Sequence, residues 1–235
     1  MRAPLAALGA ITLLLSACAP PSAALSPTWL LQAAEAGQGL PAGAIAGSVR
    51  RLDGPAFQPA AAVTVTLEDG SKTLTDARGA FAFDRLSPGA HALTATAPGC
   101  HPIRLTIRLP EGAGLGRVRL PLVPLAAPEG LPADGVVLAG VVTDGAGAAV
   151  PSAILRCVDS ASESGRGANQ TWQADADGYY LGTLLRPAPG PGVASITAYG
   201  RTPDGAAVET STIHAVPLAG GRTQALVVVA GRRGL

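Results

Sequence analysis

A short motif that occurs once in each half of the chain constrains the fold more than any other feature. The first copy, TDARGAFAF, covers residues 75–83, and the second, ADADGYYL, covers residues 174–181. Each copy is a polar turn with a glycine, which adopts a positive φ easily, followed by residues whose aromatic side chains alternate between the two faces of a strand. Such a motif reverses the chain and fills the core of a sandwich. The repeat therefore predicts two β-sandwich domains.

Strand-like runs surround both copies of the motif. The clearest run, IRLTIRL at residues 103–109, alternates apolar and polar residues without exception. With 30 glycines and 21 prolines the chain is too heavily interrupted for long helices, so we expect an all-β protein made of antiparallel sandwiches. The predicted strands are residues 45–50, 62–67, 72–75, 80–84, 91–97, 103–109 and 116–123 in the first half, and 136–143, 152–158, 171–174, 179–184, 193–199, 207–216 and 223–230 in the second.

The beginning of the chain resembles that of a bacterial lipoprotein. Met1 and Arg2 are followed by an apolar run, residues 3–15, that is too short to span a membrane. The sequence LSAC at 15–18 resembles a lipobox, which implies that residues 1–17 are a signal peptide and that Cys18 carries a lipid. Alanine rather than aspartate at position 19 favours the outer membrane, so we expect a lipid-anchored protein of the cell envelope. An ordinary signal peptide followed by an incidental cysteine is the alternative.

The chain that remains divides into a tether, two domains and a linker. Residues 18–43 form the tether and include a short predicted helix that begins at Ser26 and Pro27 and ends at Gly37. Its apolar face would pack on the first domain or lie in the lipid interface. The first domain is expected at residues 44–124, the Pro/Ala-rich linker at 125–134 and the second domain at 135–231.

Several short motifs of the first domain resemble the carboxypeptidase regulatory-like domain. They are IAGSV at 45–49, the alternating valines at 63–67, the turn motif, LSPG at 86–89 and APGC at 97–100. The second domain is more loosely similar, through AGVVTDG at 139–145 and the turn motif, and it lacks LxPG. His91 and Cys100 stand where tyrosines are usual in that family. The resemblance implies a transthyretin-like Greek-key β-sandwich without catalytic activity, and it says little about a ligand.

Two sets of residues are candidates for a site or a cross-link. Four arginines lie on two neighbouring predicted strands and would form one stripe for phosphate or acidic polysaccharide if those strands pair; scattered, solvated side chains are the alternative. The four arginines are Arg104, Arg108, Arg117 and Arg119.

Two thiols, Cys100 and Cys157, remain once Cys18 is lipidated, and they could form a disulfide between the domains or be buried separately.

Other kinds of chemistry have little support in the sequence. With only three histidines and no hydrolase motif, we expect no enzyme and no cofactor. Residues 173–178 look like the start of a calcium loop, but Gln173 and Leu184 stand where acidic ligands are needed, and His91, Cys100 and His101 lack the spacing of a zinc site, so no metal is expected. A net charge of +1 gives no electrostatic footprint for nucleic acid.

These observations predict a non-catalytic, lipid-anchored envelope protein that acts as a binding or spacer module. Its expected partners are the membrane, through the N-terminal lipid, and envelope polysaccharide or another envelope protein. A carbohydrate-binding lipoprotein is the alternative. Trp172 is then the one candidate platform for a sugar, but its polar neighbours Thr171 and Gln173 place the indole on the opposite, inward face of the strand, so we expect it in the core.

Overall fold

The computed structural model describes residues 39–126, 129, 135–159, 169–184, 192–210, 213–218 and 222–232. The predicted signal peptide, Cys18 and the predicted helix lie outside the described residues, as do most of the predicted linker and the loop at 160–168. Within the described part of the chain, no helix has the length and apolar character needed to cross a membrane.

The described residues form sixteen β-strands, eight in each half of the chain. The first eight are β1 (Ile45–Asp53), β2 (Ala56–Pro59), β3 (Thr64–Leu67), β4 (Lys72–Leu74), β5 (Ala80–Phe83), β6 (Gly89–Thr96), β7 (Ile103–Leu109) and β8 (Leu115–Leu122). The second eight are β9 (Val136–Asp144), β10 (Ile154–Asp159), β11 (Asn169–Gln173), β12 (Tyr179–Leu184), β13 (Gly192–Arg201), β14 (Ala207–Glu209), β15 (Ile213–Leu218) and β16 (Arg222–Arg232).

The first half is a sandwich of two four-stranded sheets. In one sheet, β1 pairs with β8 in parallel and with both β5 and β2 antiparallel, and the other sheet has the order β4-β3-β6-β7. Apolar side chains at alternate positions of both sheets meet between them, because strand side chains point to opposite faces in turn. The largest fully buried members of this core are Ile45, Phe81, Leu93, Ile107, Leu109, Leu120 and Leu122.

The second half repeats most of these pairings, but its β14 pairs with both β13 and β16 and so links its described strands into one eight-stranded sheet. Strand β9 pairs antiparallel with β12 and parallel with β16, as β1 does with β5 and β8. Strand β10 pairs with β11 and β13, and β13 pairs with β15, as β3 does with β4 and β6, and β6 with β7. The second core includes Leu138, Leu155 and Tyr180. The chain is therefore an all-β protein with two β-sandwiches built on one plan.

Three features of the strands differ from the sequence expectation. Each sandwich has one parallel pair, which alternation cannot reveal because a strand has the same pattern in either direction. Strand β2 was not predicted, since Pro55 precedes it, Pro59 ends it and only its Phe57 is buried. The predicted strand at 207–216 is two strands. Thr210 follows the first of them. Its backbone N–H donates to the backbone oxygen of Ala198, and its hydroxyl oxygen accepts a hydrogen bond from the backbone N–H of Ala198.

Candidate functional site

The repeated motif forms the same turn in both sandwiches. Asp76 Oδ1 accepts hydrogen bonds from the backbone N–H of Arg78 at 2.9 Å and of Ala80 at 2.8 Å. Asp175 Oδ1 does the same for the residues two and four positions later, at 2.8 and 2.9 Å. The glycine of each turn has a positive φ, +74° at Gly79 and +79° at Gly178, and leaves no room for a Cβ beside a backbone oxygen of the first strand. These carboxylates close turns, as the sequence predicted.

The aromatic residue after each turn fills the core. Phe81 and Tyr180 are both about 1% exposed, and they lie opposite Gly47 and Gly140 in the register of the first strand. A Cβ at Gly47 would come within 2.8 Å of the Phe81 ring, so the glycine makes the space that the ring occupies. Burial raises the pKa of the Tyr180 hydroxyl far above its ordinary value.

Trp172 takes the place of a second aromatic residue in the second sandwich. Where the first copy of the motif has Phe83, the second has Gly182, and a Cβ there would overlap the indole of Trp172. The indole packs against the second core on the inner face of β11, as its position in the strand predicts, but it is only half-buried. Its Nε1–H donates to Gln170 Oε1 at 3.2 Å. Trp172 is therefore part of the core wall and not an open platform.

The second copy of the motif also joins the two sandwiches. Asp177 lies in the turn before β12, and its carboxylate is 2.9 Å from Arg50 Nη2 and 3.6 Å from Arg119 Nη2, both in the first sandwich. Arg119 Nη1 also donates to Ser48 Oγ at 3.0 Å. The carboxylate thus holds two strands, β1 and β8, of the opposite sandwich.

An apolar contact lies beside this ion pair. The ring of Tyr179 stacks on Phe57 with a centroid distance of 4.7 Å and an interplanar angle of 30°, and the Arg50 guanidinium lies 5.5 Å from the Tyr179 centroid. Burial raises the pKa of the Tyr179 hydroxyl well above its ordinary value, although the charges of Arg119 and Arg50 act in the opposite direction. The buried residues of this junction come from both sandwiches and are Leu52, Phe57, Val123, Val137, Ala139, Val141 and Tyr179.

The structure does not bring the four candidate arginines onto one face. Arg104 and Arg108 lie on β7, in the sheet β4-β3-β6-β7, whereas Arg117 and Arg119 lie on β8, in the other sheet. Strands β7 and β8 do not pair, so the condition for a single stripe is not met. Arg117 has a φ of +65° and lies where the register of β1 and β8 shifts, and Arg119 is bound at the junction.

Two of these arginines share a face with other polar residues instead. We call the outer surface of the sheet β4-β3-β6-β7 the cation–threonine face. One row across it is Lys72, Thr66, Thr94 and Arg104, and a second row is Leu74, Thr64 and Thr96. Thr106 and Arg108 follow on β7. Lys72, Arg104 and Arg108 are all exposed.

The two candidate thiols lie in different cores. Cys100 is buried in the first core and Cys157 in the second, and neither forms a disulfide. The disulfide alternative is therefore wrong: each side chain fills a position in its own sandwich, as small apolar residues do.

His91 is buried near the start of β6, and its ring contacts groups of the fold. Its Nε2–H donates to the backbone oxygen of Ser87 at 2.8 Å, and its Nδ1 lies 3.1 Å from Glu68 Oε1. Glu68 Oε2 accepts a hydrogen bond from the backbone N–H of Ala92 at 2.6 Å. Burial raises the pKa of Glu68, but backbone hydrogen bonds and the nearby imidazole outweigh it and hold the pKa below its ordinary value of 4.5. Among the described residues, no group of three or more His, Cys, Asp or Glu side chains is placed to bind a metal ion.

One exposed aromatic residue was missed by the sequence analysis. Tyr199 is 38% exposed on the outer face of β13, in a row across four strands with Gln173, Ile154 and Glu209. Its neighbour Ile154 is 50% exposed. The alternation along β13 indicates this exposure, because Tyr199 points to the face opposite that of the buried Ile196 and Ala198.

An open cavity of about 810 Å³ lies at one end of the first sandwich, between β2 and the start of β3. Alanine and proline side chains form much of its wall, and Arg51, Asp53 and Gln58 lie at its polar part. The cavity therefore has few polar side chains with which to bind a ligand.

Solved structures with distant similarity to the chain come from bacteria. The chain is 13% identical to the Bacillus anthracis TIE protein, with 82% of this chain and 34% of that protein covered and a TM-score of 0.30, so it spans about a third of that protein's length. It is 10% identical to BcpA, the major pilin subunit of Bacillus cereus, with 81% and 99% covered and a TM-score of 0.32. It is 11% identical to the shaft pilin SpaA of Lactobacillus rhamnosus, with 82% and 98% covered and a TM-score of 0.28.

Comparison with protein families separates the two sandwiches. No curated protein matches the chain. The second sandwich repeats the pairings and the turn of the first, but the family match lies in the first alone. Residues 44–122, which run from just before β1 to the end of β8, match the profile of the carboxypeptidase regulatory-like domain.

Proposed function

We propose that this protein is a non-catalytic, lipid-anchored module of the bacterial cell envelope, in which two joined β-sandwiches serve as a spacer that carries binding surfaces away from the membrane. The observation that carries the proposal is the junction between the sandwiches. A spacer transmits position only if its parts do not turn freely about each other. Here Asp177 bonds two strands of the other sandwich, and Tyr179 stacks on Phe57.

The junction has both the polar and the apolar contacts that fix an orientation. The Arg50 and Asp177 side chains are 29% and 37% exposed, so this ion pair contributes little to the free energy of unfolding. It does favour one orientation of the two sandwiches. The stacked rings contribute about 0.5–1.5 kcal/mol beyond their buried area. Seven buried residues from both sandwiches close the contact around them.

The proposal that the protein is non-catalytic is supported by the hydrogen bonds that its polar side chains make within the fold. The turn carboxylates Asp76 and Asp175 are bound to backbone N–H groups, and Glu68 is bound to His91 and a backbone N–H. In the described part of the chain these groups stabilise the fold and are not arranged around a substrate.

The anchor is tested by replacing the cysteine in the producing bacterium. In the Cys18→Ala variant, cleavage by the lipoprotein signal peptidase should stop, and the uncleaved precursor should carry no lipid. Globomycin should cause the larger precursor of the unmodified protein to accumulate. A Cys18→Ala protein that is cut normally and stays in the membrane would refute the lipid anchor, whereas a Cys157→Ala variant should be processed as usual.

A second candidate function is carbohydrate binding on the second sandwich, and Tyr199 is the observation that favours it. An exposed phenol ring within a flat sheet face, with an amide and a carboxylate side chain in its row, can stack on a sugar and bond its hydroxyl groups. In affinity electrophoresis with dextran, Tyr199→Ala should abolish retardation and Tyr180→Phe, which alters a buried ring, should not. Equal retardation of all three proteins would remove this candidate.

A further inference from the structure

We propose that the cation–threonine face of the first sandwich is a binding site for an acidic polysaccharide. The site consists of Lys72, Arg104 and Arg108 together with the threonines between them. The proposal goes beyond the spacer function and does not depend on the lipid anchor or on Tyr199. It is argued from the charge of the face, the spacing of its cations and the hydroxyl groups that lie between the cations.

The charge of the face is strongly one-sided, although the whole chain has a net charge of only +1. None of the four strands β3, β4, β6 and β7 contains an aspartate or a glutamate. Among the described residues, Lys72, Arg104 and Arg108 take part in no ion pair, unlike Arg50 and Arg119 at the junction.

The acidic residues that follow β3 in the chain, Glu68 and Asp69, form no ion pair with the three cations in the described part of the chain. Glu68 is held by His91 and by the N–H of Ala92, and Asp69 Oδ1 accepts a hydrogen bond from the N–H of Ser71 at 2.8 Å. Both oxygens of Glu68 and one oxygen of Asp69 are therefore engaged within the turn and the neighbouring strand, and both carboxylates keep their negative charge. The three cations remain available for an external anion.

The spacing of the cations favours a polymer over a single small anion. Lys72 and Arg104 end the same row of four strands, so their Cα atoms are roughly 14 Å apart at about 4.8 Å per strand. Arg104 and Arg108 are four residues apart on one strand, which is roughly 13 Å. A single phosphate contacts two such groups only if both side chains bend towards each other, whereas a chain with a carboxylate on every few sugars can meet all three in their extended conformations.

The residues between the cations suit the neutral part of such a polymer. The threonine hydroxyl groups both donate and accept hydrogen bonds, as the hydroxyl groups of a sugar do. They lie on a regular sheet surface, so an extended chain can meet several of them in succession. The five threonines are Thr64, Thr66, Thr94, Thr96 and Thr106.

Two other anionic partners fit the face less well. Proteins that lie on an anionic membrane bury several large apolar side chains in it, and here Leu74, which is 64% exposed, is the large apolar residue of the two threonine rows. Single-stranded nucleic acid is bound by stacking on aromatic rings, and the four strands contain no Phe, Tyr or Trp.

The test uses residues 19–235, the mature chain without its predicted lipidated cysteine, which contain every described residue. Its mobility is measured in gels containing alginate, an acidic polysaccharide, and in gels containing dextran, a neutral one. We expect retardation by alginate that weakens as salt is added, because the contacts are exposed charges. The triple variant Lys72→Glu, Arg104→Glu, Arg108→Glu should weaken alginate binding by about tenfold or more.

The control is Arg117→Glu, a single charge reversal at an exposed arginine on the other sheet of the same sandwich, to be compared with Arg104→Glu alone as well as with the triple variant. It should leave alginate binding unchanged, and circular dichroism should show that all variants are folded. The proposal is wrong if alginate does not retard the chain, or if Arg117→Glu weakens binding as much as the triple variant. It is also wrong if vesicles of phosphatidylglycerol bind the mature chain more tightly than alginate does. Dextran retardation that is lost in Tyr199→Ala would instead concern the site on the second sandwich.

Discussion

Asp177 in the second sandwich lies 2.9 Å from the guanidinium group of Arg50 in the first. In the other copy of the turn motif, the equivalent residue is Arg78, which is exposed. Likewise the junction ring of Tyr179 stands where the first copy has Ala80. The two copies of the turn therefore differ at two positions, and those two residues make the second copy a contact between the sandwiches as well as a turn.

Removing the Asp177 carboxylate should weaken the junction. Asp177→Ala leaves the Arg50 and Arg119 guanidinium groups without their shared partner, and since all three side chains are partly exposed we expect a loss of about 1 kcal/mol in the free energy of unfolding. Urea denaturation measures this loss. The control is Asp84→Ala, whose ion pair with Arg85 is local to the first sandwich. An Asp177→Ala protein as stable as the unmodified chain would show that the ion pair stabilises nothing.

The two sandwiches should each fold alone but be less stable than in the intact chain. Each has its own core, so halves separated near Pro128 should both unfold cooperatively. Each half then exposes its share of the junction, including Phe57 and Tyr179, which lowers its midpoint of thermal unfolding. Differential scanning calorimetry of the halves and the intact chain makes the comparison. Two halves with the midpoints of the intact chain would mean that the junction contributes no stability.

Trp172 and Gly182 should be energetically coupled. Gly182→Ala places a methyl group where the indole lies, so it should destabilise the protein by about 1–3 kcal/mol. In a Trp172→Ala background the same change should cost much less, because the space is empty. Denaturation of the single and double variants measures the coupling. The matched control is Gly145→Ala, where an added Cβ meets nothing within 4 Å. Additive effects at 172 and 182 would contradict the packing described here.

The hydrogen bonds of Glu68 should give the first sandwich a pH dependence in the acid range. The pKa of Glu68 is lowered in the folded state, so its contribution is complete above the ordinary value of 4.5 and is lost as the pH falls through the lowered value. Glu68→Gln should therefore be less stable than the unmodified protein at pH 6, and the difference should shrink below pH 4.5. Glu111→Gln, at an exposed turn residue, serves as the control. A difference that stays constant with pH would contradict the role of the carboxylate.

Much of the fold could be predicted because it depends on local patterns. The alternation in β7 and the turn at Asp175 specify their own strands and hydrogen bonds, so both were read correctly. What the sequence could not show is which strands meet. Arg104 and Arg119 have similar surroundings along the chain, yet one lies on an open face and the other at the junction. Strand β2 escaped notice because its buried Phe57 packs on Tyr179, a residue of the other sandwich.

The parallel pairing of the first and last strands of each sandwich has a mechanical consequence. Strand β1 begins at one end of its sheet and β8 leaves at the opposite end, and β9 and β16 are arranged in the same way. A force that pulls the two ends of such a sandwich apart acts along the paired strands, so it loads their hydrogen bonds together rather than one after another. Sandwiches connected in series in this way would resist stretching along the chain.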